Sequence, residues 1–284
     1  YPSRRGEPKT IVNYMSGDQS FLAPIMSNPE NVYQLGPNAY GKPATALNIL
    51  RETVMGKDLF DHAFKTYAQR WMFKHPTPAD FFRTMEDASA VDLDWFWRGW
   101  FYTTDFVDIG VKEVKQFFVS DEPSREVLEM LKNYGMTQAD LPPVVYTMVE
   151  DNEDFKLEYK SGSPIDHSID LKFYMDQNTT EPGPSIKIPK NFYEITFEKP
   201  GGLVMPLIAD FIYSDGSIER IKYPVQVWRK NENEMKKVLV TDKEIISIIV
   251  DPDQETADID LSNNRWPKIN EKSEFDQFKA KMKN

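Results

Sequence analysis

The clearest candidates for chemistry in this chain are Tyr40 and Lys42, which stand in the segment Asn38-Ala-Tyr-Gly-Lys-Pro43 just before an apolar stretch. A tyrosine phenol stays protonated at neutral pH. It can therefore donate a hydrogen bond to an oxyanion and stabilise charge that develops in a transition state. Residue type alone favours a structural tyrosine at such a position. Tyr40 is thus a candidate oxyanion donor with a structural role as the alternative.

Metal binding is not predicted for this chain. No two of its three histidines, His62, His75 and His167, lie four residues apart, and none belongs to a His-Glu-x-x-His arrangement. Catalytic zinc usually needs three converging protein ligands and an open position. Each histidine is therefore expected to have a structural or surface role, with His75 packing or capping beside Pro76.

Several other kinds of site are excluded or disfavoured. The chain has no cysteine, which excludes disulfides, thiolate metal sites and a cysteine nucleophile. It has no Gly-x-Ser-x-Gly, phosphate loop or Gly-x-Gly-x-x-Gly. The carboxylate-rich segment Asp251–Asp260 lacks the calcium-loop spacing and is predicted to be a solvated turn and strand end. Trp95, Trp97 and Trp100 are predicted to be core residues, although their spacing alone does not exclude a carbohydrate platform.

Composition sets the broad class. The chain has 284 residues, of which 40% are hydrophobic and 13% aromatic, enough for a sizeable core in roughly two domains. The net charge of −11, without a basic stretch among aromatics, argues against nucleic-acid binding. No apolar run approaches the roughly 18–20 residues of a membrane span. A chain that starts at Tyr1 is expected to be a processed product or a cut piece.

Helices are predicted to hold the Tyr40 segment. Apolar residues at helical spacing precede Gly56, which stands where a C-terminal cap belongs, and Asp58 is the predicted cap of the next helix. That helix must stop at His75, because Pro76 pushes the preceding residue out of the α region. The apolar faces are formed by Leu47, Leu50 and Val54 in the first helix and by Phe60, Phe64, Tyr67 and Trp71 in the second.

The next helix has a clear start. Thr77 is predicted as its N-cap, Pro78 as its first residue and Asp80 as the partner that completes a capping box. The aromatic segment Asp92–Trp100 then predicts another short helix. Residues 1–106 are therefore predicted to form a helical lobe.

The pattern changes near residue 107. Residues 107–185 are predicted to be a mixed α/β connecting region. Its expected elements are strands at Val111–Phe118, Val144–Val149 and Phe155–Tyr159, a helix at Ser124–Tyr134 closed by Gly135, a break at Asp140–Pro143 and a loop at Asn178–Ser185.

Residues 186–262 show alternating apolar residues, which predict an antiparallel β-sandwich. Tyr193, Ile195 and Phe197 alternate with polar residues, and Asp215-Gly216 marks a hairpin after the strand run Leu203–Tyr213. The alternation at Ile221, Tyr223, Val225 and Val227 predicts the next strand, followed by strands at Val238–Val240 and Ile245–Val250. Residues 263–284 are expected to be a tail with a short helix at Ser273–Lys283. The fold class is therefore α+β.

A contiguous part of the chain resembles the aminopeptidase N family, which are zinc metallopeptidases of the gluzincin type. The resemblance is carried by the order of its motifs, and a looser likeness to bacterial members extends into the β-rich part through Trp228–Asn231, Asp251–Asp260 and Asn263–Pro267. The stronger motifs are Tyr40-Gly-Lys42, Leu50–Gly56, His75–Phe82, Met85–Ser89 and Asp94–Trp100.

The resemblance implies the helical lobe of a thermolysin-like catalytic domain, with Tyr40 hydrogen-bonded to the tetrahedral oxyanion. In the family, His-Glu-x-x-His, the next zinc-binding Glu and a Gly-x-Met-Glu-Asn strand precede this tyrosine, and this chain contains none of them. The chain is thus expected to be the C-terminal portion of an aminopeptidase, inactive alone, with zinc bound in the full-length parent and no zinc ligand here. Pro43 departs from the glycine that many members have.

Other interpretations stay open. A non-catalytic protein-interaction module of the same fold is the main alternative, and a carbohydrate-binding protein using Trp95, Trp97 and Trp100 is the third. If the resemblance misplaces the tyrosine, Tyr33 is the next candidate. The expected partner is a peptide substrate held together with the missing N-terminal part. Export to a bacterial periplasm is expected only from the resemblance, and no oligomeric state is predicted.

Overall fold

The computed structural model of this chain describes residues 6–120, 125–137, 144–150, 169–170 and 191–268. Helices lie mainly before residue 106, and antiparallel strands dominate after it. The predicted α+β class is confirmed at this level. None of the helices in the described ranges has the length and apolar character needed to cross a bilayer.

Some predictions fall outside the described residues. These are the break at Asp140–Pro143, the strand at Phe155–Tyr159, the histidine His167, the loop at Asn178–Ser185 and the helix at Ser273–Lys283.

Within the described residues 6–106 the chain forms five α-helices, and π-helical turns extend the second of them at both ends. The turn Gly36–Gly41 precedes it and the turn Leu50–Val54 follows it. Short 3₁₀ turns occur at Pro8–Thr10 and Pro29–Asn31. The helices are α1 (Val12–Met15), α2 (Lys42–Ile49), α3 (Lys57–Trp71), α4 (Pro78–Ser89) and α5 (Asp94–Tyr102).

The start of α4 is confirmed in detail. Thr77 Oγ1 accepts a hydrogen bond from Asp80 N–H, and Asp80 Oδ2 accepts one from Thr77 N–H, which completes the capping box. The predicted Asp58 cap is wrong. Gly56, at φ +85°, is the N-cap of α3, and Asp58 lies inside the first turn. Only a glycine adopts this φ without strain, so the backbone sets the boundary.

Aromatic side chains hold α4 against α5. The ring of Phe82 stacks on Trp97 with centroids 4.6 Å apart and meets Phe101 edge-on at 5.2 Å. Trp97 and Trp100 are 3% and 2% exposed, so their predicted place in the core is confirmed. Neither of these two rings is available to stack on a sugar, and Trp95, the third member of the carbohydrate-platform alternative, is partly buried against the same core.

The strands of the described ranges form two antiparallel sheets. One has five strands in the order β3-β2-β1-β4-β7, and the other has four in the order β6-β5-β8-β9. Helix α6 (Arg125–Asn133) follows β1, as predicted, and Gly135 after it has φ +68°. The strands are β1 (Gly110–Ser120), β2 (Val144–Glu150), β3 (Ile169–Asp170), β4 (Asn191–Glu198), β5 (Leu207–Tyr213), β6 (Ile218–Tyr223), β7 (Glu234–Thr241), β8 (Ile245–Val250) and β9 (Arg265–Trp266).

The first sheet joins strands from two of the predicted regions. In the β1–β4 register Gln116 lies opposite Tyr193, so the strand after residue 107 pairs with the first strand after residue 186. Tyr193, Ile195 and Phe197 are each 0% exposed, as their period-two alternation predicts. They contribute to the hydrophobic core that both sheets share.

The hairpin of the second sheet is confirmed, but the strand after it is shorter than predicted. Strands β5 and β6 pair around Asp215 and Gly216, with φ +81° at Gly216. Beyond Tyr223 the chain turns into a 3₁₀ helix at Val225–Trp228, so the predicted strand positions Val225 and Val227 are wrong. Pro224, which has no N–H to donate to a ladder, precedes this helix.

A buried tyrosine connects the two sheets. The Tyr193 hydroxyl on β4 accepts hydrogen bonds from Ile245 N–H on β8 at 2.8 Å and from Gln116 Nε2 on β1 at 2.9 Å. The antiparallel sheets with a common core are consistent with the predicted β-sandwich.

Candidate functional site

Tyr40 lies on the π-helical turn Gly36–Gly41, directly before α2, and its side chain is 60% exposed. The turn is closed by Lys42 N–H, which donates to Pro37 O, five residues back. Such wide turns occur mostly as single turns and frequently at functional sites. The phenol is thus presented to solvent from an unusual backbone turn.

Asn38 fixes the inner side of this turn. It is 4% exposed, and its Nδ2 donates to Tyr14 Oη at 3.0 Å and to Ala23 O at 2.8 Å. Burial raises the pKa of Tyr14, so this hydroxyl stays protonated. The amide therefore ties the turn to two separate parts of the N-terminal segment.

Gly41 allows the turn to approach that segment closely. A Cβ atom at this position would lie 3.2 Å from Ile11 Cδ1, closer than most such contacts. Ile11 itself is 3% exposed. The residue next to Tyr40 therefore packs directly on a buried side chain.

Lys42 points into the protein. It is 5% exposed, and its Nζ donates to Asp105 O at 3.0 Å and Thr103 O at 3.2 Å, just after α5. Burial lowers the pKa of Lys42 to about 8, and the negative charge of Asp105 opposes that shift. The two sequence candidates thus separate, because Tyr40 faces solvent and Lys42 anchors the backbone behind it.

A cavity of about 460 Å³ lies beside the turn. Tyr40 is not among its lining residues. Its described lining carries no charged side chain, so it would suit a neutral ligand better than an ion. The lining comes from the N-terminal segment and the turn, and includes Ile11, Tyr14, Gln34, Pro37 and Gly41.

The described residues do not form a zinc site. His62 and His75 are both exposed, on α3 and on the loop that follows it. Within the part of the chain that the structure describes, no three His, Asp or Glu side chains come together as potential metal ligands. The zinc implied by the resemblance would need ligands from elsewhere.

Two carboxylates in the segment Asp251–Asp260 are buried, although the sequence predicts a solvated turn. Asp251, 3% exposed, accepts hydrogen bonds from Glu255 N–H and Thr256 N–H at 2.8 and 3.0 Å. Asp258, 4% exposed, accepts one from Ile109 N–H at 3.1 Å. Both therefore act as structural acceptors.

Burial above all, together with the nearby charge of Asp108, raises the pKa of Asp258 to about 7, although the hydrogen bonds that its carboxylate accepts oppose the shift. The partner that places Asp258 in the interior, Ile109, is far away in sequence. Sequence reasoning missed this group because no local pattern signals such a partner.

Tyr33, the second candidate tyrosine, is 59% exposed and precedes the π turn. It matches Tyr40 in accessibility but lies outside the anchored residues 36–42.

No family model matches this chain, and no curated protein matches its sequence. The resemblance to the aminopeptidase N family therefore stays a prediction.

Proposed function

We propose that this chain is the C-terminal part of a zinc-dependent aminopeptidase, in which Tyr40 stabilises the oxyanion formed during hydrolysis of the N-terminal peptide bond. One observation carries the proposal. The Tyr40 phenol is exposed on a π turn, while Asn38 and Lys42 on either side are buried and hydrogen-bonded. A donor held in this way is preorganised for its acceptor.

The chemistry required of Tyr40 is limited. Attack of water on the peptide carbonyl forms a new C–O bond and converts the carbonyl oxygen into an oxyanion. Collapse of this intermediate breaks the C–N bond, and a proton from the attacking water passes to the leaving amine. A phenol that donates to the oxyanion acts on the transition state more than on the bound substrate, and therefore raises the turnover number. The helical lobe would form one wall of the cleft, as the resemblance implies.

The proposal can be tested with the complete product of the gene. We expect it to release single N-terminal residues from aminoacyl anilides. Tyr40→Phe should lower kcat about 100–1000-fold with little change in KM, since only a transition-state hydrogen bond is lost. Its melting temperature should stay the same, because the side chain is largely exposed.

Tyr33→Phe is the matched control. Tyr33 and Tyr40 are 59% and 60% exposed, so removing either hydroxyl should perturb stability equally little. A complete protein without peptidase activity, or a Tyr40→Phe variant with normal kcat, would refute the proposal. A loss of kcat in Tyr33→Phe instead would move the donor to that residue.

The alternative of a protein-interaction module is favoured by one loop. Between α3 and α4, Phe73 is 97% exposed with φ +59°, a conformation that costs energy for a bulky residue, and Met72 beside it is 56% exposed. An inactive complete protein that binds a partner, with binding abolished in Phe73→Ser, would support this function. Retained binding in that variant would count against it.

A further inference from the structure

Two buried lysines interact electrostatically with the same aspartate. Lys42 and Lys199 are each 5% exposed, and the charge of Asp105 acts on both. Lys42 Nζ donates to two backbone carbonyls, and Lys199 Nζ donates to Gly201 O at 2.8 Å. Buried lysines are rare and need such partners, because an unpaired charge in the interior is costly. Only one of the two lysines adjoins the candidate site.

We propose that Lys42 is a positioning residue for Tyr40: its ammonium fixes the π turn to the segment after α5 and so sets the place of the phenol. The inference rests on the proposed function. Lys42 holds the turn in two ways, since its N–H closes it on Pro37 O and its Nζ bonds to Thr103 O and Asp105 O.

The acceptors of Lys42 are themselves held firmly. Thr103 Oγ1 donates to Gly99 O at 2.7 Å and accepts from Asp105 N–H at 3.2 Å. Gly202 packs so closely on Asp105 that a Cβ atom there would lie 2.3 Å from the carboxylate carbon. Segment 103–105 is thus fixed to α5 on one side and to the loop before β5 on the other. A turn tied to it inherits that rigidity.

The charge of Lys42 strengthens the tie. Hydrogen bonds from an ionised donor are generally stronger than those between neutral groups. Asp105 supplies the opposite charge that helps to keep Lys42 protonated in the interior. Replacing Lys42 by an apolar residue would leave Thr103 O and Asp105 O without this donor and would release the turn.

Lys42→Met and Lys199→Met form a matched pair in the complete protein. Both remove the ammonium of a lysine that is 5% exposed and that the charge of Asp105 acts on, so both should lower the melting temperature. Only Lys42→Met should lower kcat, by roughly 10–100-fold with KM nearly unchanged, because a small misplacement of a catalytic group has effects of this size. Equal kcat values in the two variants would overturn the proposal.

Amide hydrogen exchange gives a readout that does not depend on activity. Exchange of residues 36–42 should be faster in Lys42→Met and unchanged in Lys199→Met. Unchanged exchange in both would overturn the proposed anchor even if the protein is an active peptidase. Faster exchange in Lys42→Met together with normal kcat in Tyr40→Phe would support the anchor and refute the proposed function.

A second variant covers the case in which Lys42→Met does not fold. Asp105→Asn removes the charge that favours the ammonium and keeps the size of the side chain. We expect the same two changes at smaller amplitude: lower kcat and faster exchange at residues 36–42. Wild-type values for both in Asp105→Asn would overturn the proposal.

Discussion

The helical lobe and the junction between the sheets, where residues 107–111 meet residues 258–264, are held together by different forces. In the lobe, α4 packs on α5 through aromatic rings such as Phe82 and Trp97, 4.6 Å apart. At the junction, the segment around Asp258 is joined to the start of β1 by hydrogen bonds: Ile259 N–H donates to Val107 O at 3.0 Å.

Asn263 adds one backbone and one side-chain hydrogen bond to the junction. Val111 N–H donates to Asn263 O at 2.8 Å, and Asn263 Nδ2 donates to Asp108 Oδ1 at 2.8 Å. Gly110 lies against Asn263 so closely that a Cβ atom would come within 2.4 Å of its side chain. Apolar packing depends on buried area and volume, whereas these contacts depend on direction and protonation. Substitutions in the lobe should therefore lower stability in proportion to the side-chain volume lost. The stability of the junction should instead depend on pH and on hydrogen-bond geometry.

The largest effect is expected in the lobe. Phe82→Ala should lower the free energy of unfolding by about 3–5 kcal/mol, because it removes a buried ring that contacts Trp97 and Phe101 and leaves a cavity. Urea denaturation at pH 5 and at pH 8 would measure it. The loss should be the same at both values, and Phe82→Leu should cost much less. A loss that changed with pH would break the contrast between the two regions.

The junction should show the opposite behaviour, through Asp258. Its pKa is raised from 3.8 in the unfolded chain to about 7 in the fold, mainly by burial, so the folded protein holds this proton more tightly. The contribution of Asp258 to stability should therefore be fully present below about pH 4 and be lost as the pH rises through about 7. At about 1.4 kcal/mol per unit, the contribution is on the order of 4 kcal/mol.

Denaturation curves between pH 5 and pH 8 test this slope. Asp258→Asn cannot ionise, so its stability should vary much less over this range, although losing one acceptor lowers it at pH 5. Asp87→Asn, at an exposed carboxylate on α4, should keep the wild-type slope. An undiminished slope in Asp258→Asn would assign the pH dependence to another group, with Asp108 the first to examine.

A smaller effect is expected where the loop before β5 meets the junction. A Cβ atom at Gly201 would lie 2.5 Å from Phe106 O and 2.6 Å from Asp108 N. Gly201→Ala should therefore cost about 1–3 kcal/mol, because the backbone must shift. Gly36→Ala is the control, since a Cβ atom there meets nothing within 4 Å. Equal melting temperatures for the two variants would show that the backbone of the junction can shift at little cost in stability.

The smallest effect concerns a polar contact that is exposed. Thr77→Ala removes the hydroxyl that accepts a hydrogen bond from Asp80 N–H in the capping box of α4. It should lower the free energy of unfolding by about 1 kcal/mol. Thr77→Ser keeps the hydroxyl and should stay near the wild type by thermal denaturation. If Thr77→Ala lowered the melting temperature as much as Gly201→Ala does, the exposed contact would be as important for stability as the buried one. That result would contradict the comparison of the two regions.

Elements marked by local signals could be predicted from the sequence. The Thr77 cap, the Asp215-Gly216 hairpin and the alternation in β4 each depend on residues only a few positions apart. The wrong Asp58 cap and the missed 3₁₀ helix at Val225–Trp228 occur where backbone conformation competes with a weak pattern.

Contacts between distant residues could not be predicted. Lys42 and Asp105 are 63 positions apart, and Ile109 and Asp258 are 149 apart. Exposure of Tyr40 and burial of Lys42 follow from such contacts, although the two residues are nearly adjacent. The sequence therefore indicates which residues belong to the candidate site but not which of them faces solvent.

The π turn Gly36–Gly41 also depends on the number of residues between its two ends. Deleting Ala39 would allow an ordinary α-helical turn, whose hydrogen bonds span four residues instead of five. Asn38 and Tyr40 would then be neighbours about 100° apart around the helix axis. The deletion would therefore bring the exposed phenol closer to the side of the helix that carries the buried amide. We therefore expect this turn to tolerate substitutions better than insertions or deletions.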